Sequence, residues 1–180
     1  MAPLSWRRVL AADLVAAPWR NGLGISREVA AERHADGSLC WQVGIAELAG
    51  DAPFSDYRGI DRVFTVLEGG IALAIDGAPL LGCPPLHPVR FRGESLVTCR
   101  VSAPGRAFNV FVDRRQHRAE VAVASVPAGE ACVAGTVVHC VSGRLLLAGA
   151  MLGAGDSAVG CGGAWAAVED AVAILVTIGR

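Results

Sequence analysis

Short segments of alternating apolar residues fill most of the chain after Leu39, and they constrain its fold more than any other feature. Gly, Pro, Asp or Ser residues separate these segments, so that a turn is expected about every ten residues. Strands of this kind joined by tight turns are typical of antiparallel β-sandwiches and barrels. The predicted strands cover residues 41–48, 62–69, 71–81, 86–91, 95–101, 107–113, 119–126 and 171–179.

Turn and helix signals agree with an all-β chain. The Asp76-Gly77 pair suits the two left-handed positions of a tight hairpin turn. Helical spacing is scarce and is found near the N-terminus, where Val9, Leu10 and Leu14 predict either a short helix or an irregular arm.

The composition predicts a cytoplasmic protein that does not enter a membrane. The 180-residue chain is 53% hydrophobic, yet no apolar run reaches the roughly eighteen residues that a membrane-spanning helix needs. Near the N-terminus, arginines follow the apolar start, and Asp13 interrupts the segment that would form the apolar part of a signal peptide. The net charge is −1, so we expect no nucleic-acid binding and interpret the basic run 114–118 as a solvated loop.

The cysteines are predicted to be reduced and to behave as small apolar residues. No two of them are spaced as C-x-x-C, and the chain is too long to need disulfides for stability. Cys132, His139 and Cys140 come nearest to a metal-binding cluster, but neighbouring residues of a strand point to opposite faces of the sheet. The six cysteines are Cys40, Cys83, Cys99, Cys132, Cys140 and Cys161.

The usual catalytic signatures are missing from the sequence. The segment GLGISR (22–27) is not a dinucleotide-binding loop, because its third glycine position holds Arg27. No nucleophile elbow, phosphate-binding loop or H-x-H pair is present, and the four histidines are far apart in the sequence. We therefore expect neither a catalytic metal nor a cofactor.

Polar residues inside strongly apolar strands are the first candidates for function. With a period of two, Arg62 and Glu68 lie on one face of their strand but about 20 Å apart, so each needs its own partner if it is buried. Asn109 shares a face with Phe111 and must also find hydrogen-bond partners. As alternatives, Arg62 belongs to a surface ion pair and Glu68 lies at a solvated strand end.

The segment PWRNGLGISRE (18–28) gives further candidates. Its arginines and asparagine stand out in a chain rich in alanine, valine and leucine, and Trp19 offers a flat apolar surface. Structural roles are also open here, since Trp19 can fill a core, Asn21 can form a turn before a glycine, and Arg27 can pair with a surface carboxylate.

Two distant segments also resemble each other, which suggests an internal repeat. Residues 67–77 and 141–157 both contain a glycine turn followed by alternating apolar residues. Two copies of one β unit would nearly fill the chain, although chance similarity in a glycine-rich sequence explains the pattern as well.

The order and spacing of the motifs resemble the HutD/Ves family over residues 6–156. The matching segments are WRNGLGISREVA (19–30), WQVGIAEL (41–48), GDAPFSDYRGIDRVFTVLEGG (50–70), VRFRGES (89–95) and AFNVFVDRR (107–115). The resemblance implies two fused cupin barrels of the RmlC-like jelly-roll type, that is, a bicupin. The first barrel would cover residues 1–115, and the second would cover 116–180 and be completed by N-terminal strands.

The same resemblance implies a modulator of bacterial histidine utilisation with no known catalytic activity. Two departures from the family pattern bear on the ligand. Ala107 stands where the family usually carries aspartate, and Tyr57-Arg58 replaces phenylalanine-proline. If that aspartate orients an arginine of the pocket, the ligand preference of this chain differs.

We therefore expect a metal-independent binding protein for a small organic acid, such as a formylated or imidazole-bearing intermediate of histidine degradation. Arginine binds carboxylates through two parallel hydrogen bonds, and asparagine can bind an amide, formyl or imidazole group. The candidate ligand-binding residues are Trp19, Arg20, Asn21, Arg27, Arg62, Glu68 and Asn109.

Two other functions remain open at the level of sequence. The first is a metal-free isomerase or lyase in which Glu68 or His87 acts as general base. The second is an interaction module that binds another protein, or a second copy of itself as a homodimer, through its β edges.

Overall fold

A computed structural model describes residues 6–133, 135–160 and 164–180; Cys161 lies outside these ranges. Its regular elements are β-strands apart from one turn of 3₁₀ helix at Ala11–Asp13, which confirms the all-β prediction. That turn stands where the sequence left open a short helix or an irregular arm. In the described ranges, no helix has the length and apolar character needed to cross a membrane.

The strands follow one another with short connections. In chain order they are β1 (Arg7–Val9), β2 (Ala16–Pro18), β3 (Ile25–Arg33), β4 (Leu39–Leu48), β5 (Ala52–Pro53), β6 (Ile60–Ile75), β7 (Leu81–Gly82), β8 (Val89–Arg92), β9 (Val97–Asp113), β10 (Arg118–Val126), β11 (Ala131–Val133), β12 (Val137–Ser142), β13 (Leu145–Leu147), β14 (Ala150–Leu152), β15 (Ser157–Val159), β16 (Ala164–Ala167) and β17 (Ala171–Gly179).

The chain forms two compact units. The N-terminal unit consists of residues 15–119, and the C-terminal unit consists of residues 6–14 together with 120–179. The short strand β1 therefore belongs to the C-terminal unit, where it pairs with β15.

One antiparallel sheet dominates the N-terminal unit. Its strand order is β2-β3-β4-β9-β6-β7, with β5 paired to β9 and β8 paired to β6. The long strands β6 and β9 place Arg62 opposite Phe111 and Phe64 opposite Asn109. The predicted hairpin turn is confirmed, because Asp76 and Gly77 have φ angles of 50° and 78°.

Each unit has its own apolar core. In the N-terminal unit the fully buried side chains include Phe64, Val66 and Leu73 of β6. In the C-terminal unit they include Trp165 and Leu145. The strand predicted over residues 171–179 is β17, a buried member of the sheet β1-β15-β12-β17-β10; the other C-terminal sheet has the order β11-β16-β13-β14.

Candidate ligand-binding cavity

The N-terminal unit contains a cavity of about 630 Å³ on one face of its sheet. Because side chains alternate along a strand, every second residue of the central strands lines it. From the sheet, the lining includes Ser26, Glu28, Gln42, Gly44, Ala46, Arg62, Phe64, Asn109, Phe111 and Asp113. Further lining residues come from segments 17–20, 37–39, 54–55 and 57–60, together with Val15, Arg33, Leu48 and Arg115.

Arg62 is the buried cation of this cavity. Its residue surface is only 6% exposed. Four aromatic rings surround the guanidinium carbon, with ring centroids 4.7 Å away for Phe111, 4.8 Å for Phe54, 5.0 Å for Phe91 and 5.8 Å for Tyr57. Such rings attract a cation through their electron-rich faces, but they do not neutralise its charge.

The hydrogen bonds of Arg62 are incomplete. One terminal nitrogen donates to Asn109 Oδ1 at 3.1 Å, while the buried Nε–H has no hydrogen-bond partner. In the part of the chain that the structure describes, no carboxylate lies within ion-pair distance of Arg62. Burial lowers the pKa of Arg62 to about 10, so the side chain is still charged at neutral pH.

Asn109 holds the guanidinium in place. Its side-chain oxygen accepts from Arg62, and its Nδ2 donates to the backbone oxygen of Ala107 at 3.3 Å. The amide is therefore oriented with its acceptor toward the cation. A neutral acceptor stabilises the guanidinium without supplying the counter-charge that a carboxylate would.

The loop 19–24 brings Trp19 and Arg20 into the cavity lining. The backbone N–H of Trp19 donates to Gly24 O at 2.8 Å. A Cβ at Gly24 would lie 2.6 Å from the indole ring of Trp19, so only glycine fits there. Asn21 donates to Pro53 O at 2.9 Å and accepts from Leu23 N–H, which fixes the loop. Asn21 thus has the turn role that the sequence left open.

The second rim loop carries Tyr57. Tyr57 N–H donates to Gly93 O at 2.9 Å, and Gly93 N–H donates to Ile60 O at 2.7 Å. A Cβ at Gly93 would lie 2.3 Å from Tyr57 O, so the loop packs directly on this glycine. The Arg20 guanidinium lies 4.9 Å from the Tyr57 ring, which places this one ring beside the two cations Arg20 and Arg62.

Apart from Arg20, the other charged side chains of the lining form ion pairs. Arg33 lies 3.5 Å from Glu28, and Arg58 lies 3.2 Å from Asp56.

Asp113 is buried and pairs with Arg115 at 3.3 Å. Although burial opposes ionisation, the hydrogen bonds from Arg115 hold the pKa of Asp113 below its usual value. Against these pairs, Arg62 stands out as a buried charge without a counter-charge.

Three of the predicted site residues do not line the cavity. Asn21 fixes the loop 19–24 through its hydrogen bonds with Pro53 O and Leu23 N–H. Arg27 pairs with Glu47, because its neighbours on β3 face the cavity and Arg27 therefore faces away. Glu68 pairs with Arg106 at 2.6 Å.

The placement of Glu68 has a specific cause. The register of β6 against β9 shifts between Val66 and Glu68, so the period of two that relates Glu68 to Arg62 breaks before Glu68 is reached. The other proposed general base, His87, is exposed and is also absent from the lining. The cavity therefore brings together Trp19, Arg20, Arg62 and Asn109 of the predicted set.

Sequence reasoning missed most of the aromatic box around Arg62. Phe54 and Tyr57 come from the loop 54–59, and Phe91 on β8 lies opposite Arg62. The available signal was the aromatic content of segments 50–70 and 89–95, which were used for the family resemblance alone. Phe111 was placed correctly on the face of Asn109.

The described cysteines are free, and most of them are buried. Burial raises the pKa of Cys99 and of Cys140 to about 11, so these thiols are protonated and unreactive at neutral pH. Among the described residues, no group of three or more His, Cys, Asp or Glu side chains is arranged to hold a metal ion.

A family model described as HutD matches residues 11–175. A Pseudomonas putida protein, described as an uncharacterized 21.2 kDa protein in the hutC 3′ region, is 33% identical over 62% of this chain and 60% of its own length. The chain thus spans less than two thirds of that relative. Protein Ves of Citrobacter koseri is 32% identical over 78% of this chain and 75% of its own length.

Solved structures of a HutD protein and of a cupin protein are also similar to this chain. HutD from Pseudomonas fluorescens SBW25 (formate condition) superposes with a TM-score of 0.82 and 28% identity, covering 98% of this chain and 100% of that one. A cupin 2 conserved barrel domain protein from Leptotrichia buccalis superposes with a TM-score of 0.65 at 10% identity, covering 96% of each chain. The fold of this chain is therefore cupin-like.

Proposed function

The chain belongs to the HutD family, as its motifs led us to expect, and from this premise we propose that it is a metal-independent binding protein for a small organic acid. The observation that carries the proposal is the buried Arg62 guanidinium, which lies in the wall of a 630 Å³ cavity without a counter-charge.

Energetic reasoning connects this cation to an anionic ligand. An unpaired charge inside a protein is costly, and a polar atom left without a hydrogen bond adds to that cost. A carboxylate in the cavity would accept from the free Nε–H of Arg62 and supply the missing negative charge. The aromatic box then stabilises the guanidinium and keeps water from the ion pair.

The remaining lining determines what else the ligand carries. The cavity volume is within the ordinary range for small-molecule sites, about 300–1,000 Å³. Arg20 lies against Tyr57 at the rim and is available for a second polar group of the ligand. Trp19 and the rings near it offer flat apolar surfaces to a planar group such as imidazole. Asn21, Arg27 and Glu68 have no direct contact with the ligand in this proposal.

We also propose the finer features that the family suggests. These are two fused cupin barrels, over residues 1–115 and 116–180 with N-terminal strands completing the second, in a cytoplasmic protein that modulates histidine utilisation. The hutC-region description of the P. putida relative and the name of the P. fluorescens HutD structure support the pathway.

Thermal melting against a panel of carboxylates tests the proposal. The panel contains formate, acetate, histidine, an imidazole-bearing acid and an N-formyl amino acid, with the uncharged amides as controls. A ligand present at a hundred times its Kd adds about 2.7 kcal/mol to the free energy of unfolding, which a melt detects readily. We expect at least one acid, and none of the amides, to raise the Tm.

Two matched variants locate the site. Arg62→Ala should abolish the rise in Tm, whereas Arg27→Ala should keep it, because Arg27 lies outside the cavity lining. A full rise in the Arg62 variant would overturn the assignment. Mass spectrometry of each bound acid separates binding from catalysis, since a binding protein returns the acid unchanged. If no acid raises the Tm, a protein-interaction function is favoured instead.

A further inference from the structure

A second, smaller depression lies on the N-terminal unit and has a volume of about 270 Å³. Arg90, Phe91 and Arg92 of strand β8 line it. Because side chains alternate along a strand, Arg90 and Arg92 point to the other face of the sheet from Phe91, whose ring centroid lies 5.0 Å from the Arg62 guanidinium carbon. The remaining lining comes from Asp61, Arg62, Val63, Val112, Arg118 and Ala119.

Three exposed arginines meet at this depression. Arg90 donates to the backbone oxygen of Ala119 at 2.8 Å, and Arg118 donates to that of His117 at 3.0 Å. Within the described ranges, neither these two nor Arg92 forms an ion pair with a carboxylate. Each guanidinium therefore keeps several N–H groups for a ligand.

The acidic residue of the depression, Asp61, already forms an ion pair with Arg114. The carboxylate of Asp61 lies 2.9 Å from Arg114 Nε, and Arg114 also pairs with Glu94 at 2.5 Å. The two nearby carboxylates are therefore paired with Arg114 and not with the arginines of the depression. The local charge at the depression is consequently positive, in a chain whose net charge is −1.

From this geometry we infer that the depression binds the phosphate group of a small phosphorylated metabolite. Three guanidinium groups around a small concave surface repel one another, and an oxyanion with two negative charges relieves that repulsion. Planar guanidinium groups match phosphate oxygens through paired hydrogen bonds. Among the described residues that line the depression, Phe91 is the aromatic one, and its ring already lies against the Arg62 guanidinium, so it is not free to stack on a nucleic-acid base.

This inference goes beyond the proposed function, because it concerns the opposite face of the sheet and a different anion. The carboxylate site depends on the guanidinium of Arg62. The phosphate site depends on Arg90, Arg92 and Arg118, so each site can fail while the other stands.

Amide NMR of the full chain tests the inference, with inorganic phosphate and glycerol phosphate as probes and chloride at matched ionic strength as control. We expect saturable shifts of the amides at residues 61–63, 90–92 and 118–119. Arg92→Gln and Arg118→Gln should each weaken binding about tenfold or more, since one hydrogen bond to a charged group contributes about 1.5–3 kcal/mol. Arg144→Gln, which alters an exposed arginine paired with Glu169, should leave the affinity unchanged.

A further variant separates the two sites. Asn109→Asp, which changes a residue of the large cavity that does not line the depression, should keep the response to phosphate. The inference is overturned if chloride reproduces the shifts, if both glutamine variants bind normally, or if the response disappears in Asn109→Asp. Binding of an oligonucleotide without any response to glycerol phosphate would also overturn it and would favour a nucleic-acid surface instead.

Discussion

Among the described residues, each unit of the chain buries a pair of hydrogen-bonded polar side chains on neighbouring strands, and the two pairs differ in what they leave unsatisfied. In the C-terminal unit, His139 and Ser157 are each 1% exposed and are joined by a hydrogen bond of 2.9 Å between Nδ1 and Oγ. In the N-terminal unit, Arg62 and Asn109 are joined at 3.1 Å, but the Nε–H and the positive charge of Arg62 have no partner.

The difference indicates which of the two buried polar pairs favours the binding of a ligand. Two buried side chains that hydrogen-bond to each other can serve as structure, since their hydrogen bond offsets much of the cost of burial. A buried charge held by a neutral amide is still largely uncompensated. The N-terminal pair borders a cavity, so an anion can reach it and complete it. Each of the following variants changes one of the two pairs, or a surface pair used as reference.

Arg62→Met should have the largest effect. Methionine keeps much of the apolar length of arginine but removes the charge and all donors. The affinity for the carboxylate found in the melting panel should fall by about 2–5 kcal/mol, which is thirtyfold or more. The Tm without ligand should stay the same or rise, because the buried charge has been removed. Calorimetric titration and melting measure both; a retained affinity would contradict the role of Arg62.

Asn109→Asp should give the Arg62 guanidinium a counter-charge within the protein. A carboxylate in place of the amide oxygen, now 3.1 Å from the guanidinium nitrogen, supplies the missing counter-charge from within the protein. We expect the Tm without ligand to rise and the affinity for the acid to fall about tenfold to a hundredfold. Unchanged affinity together with a higher Tm would show that the ligand does not compete for the charge of Arg62.

Ser157→Ala should make the opposite change in the C-terminal unit. It removes the hydroxyl that bonds to His139 and should lower the free energy of unfolding by about 1 kcal/mol. Urea denaturation followed by fluorescence gives this value. The rise in Tm with ligand should match that of the unmodified protein, and a smaller rise would mean that the two pairs are coupled.

Arg27→Gln should have the smallest effect. Its ion pair with Glu47 is about one third exposed, and such pairs contribute less than about 1 kcal/mol. Both the affinity for the acid and the Tm should stay close to those of the unmodified protein. A large loss of affinity would restore Arg27 to the binding site and weaken the distinction between buried and surface charge.

The sequence predicted the parts of this account that depend on local pattern. Alternation identified the strands and placed Asn109 and Phe111 on one face. Arg62 was a candidate because a charge inside an apolar strand must have a reason to be there. The Asp76-Gly77 turn followed from the backbone preferences of these two residues.

The parts that were missed depend on contacts between distant segments. Whether an arginine has a counter-charge depends on which residue the next strand brings beside it, and this decided between Arg27 with Glu47 and Arg62 with Asn109. The period of two that put Glu68 on the face of Arg62 is broken by a register shift that the residue pattern does not reveal.

The Nε–H resonance of Arg62 offers the most direct test of the central claim, that a carboxylate completes a buried and unpaired guanidinium. The resonance can be assigned in an ¹⁵N NMR spectrum by its loss in Arg62→Met. We predict that the bound acid moves this resonance downfield and slows its exchange with water, because the free donor gains an acceptor. A saturating acid that leaves the resonance unmoved would contradict the claim.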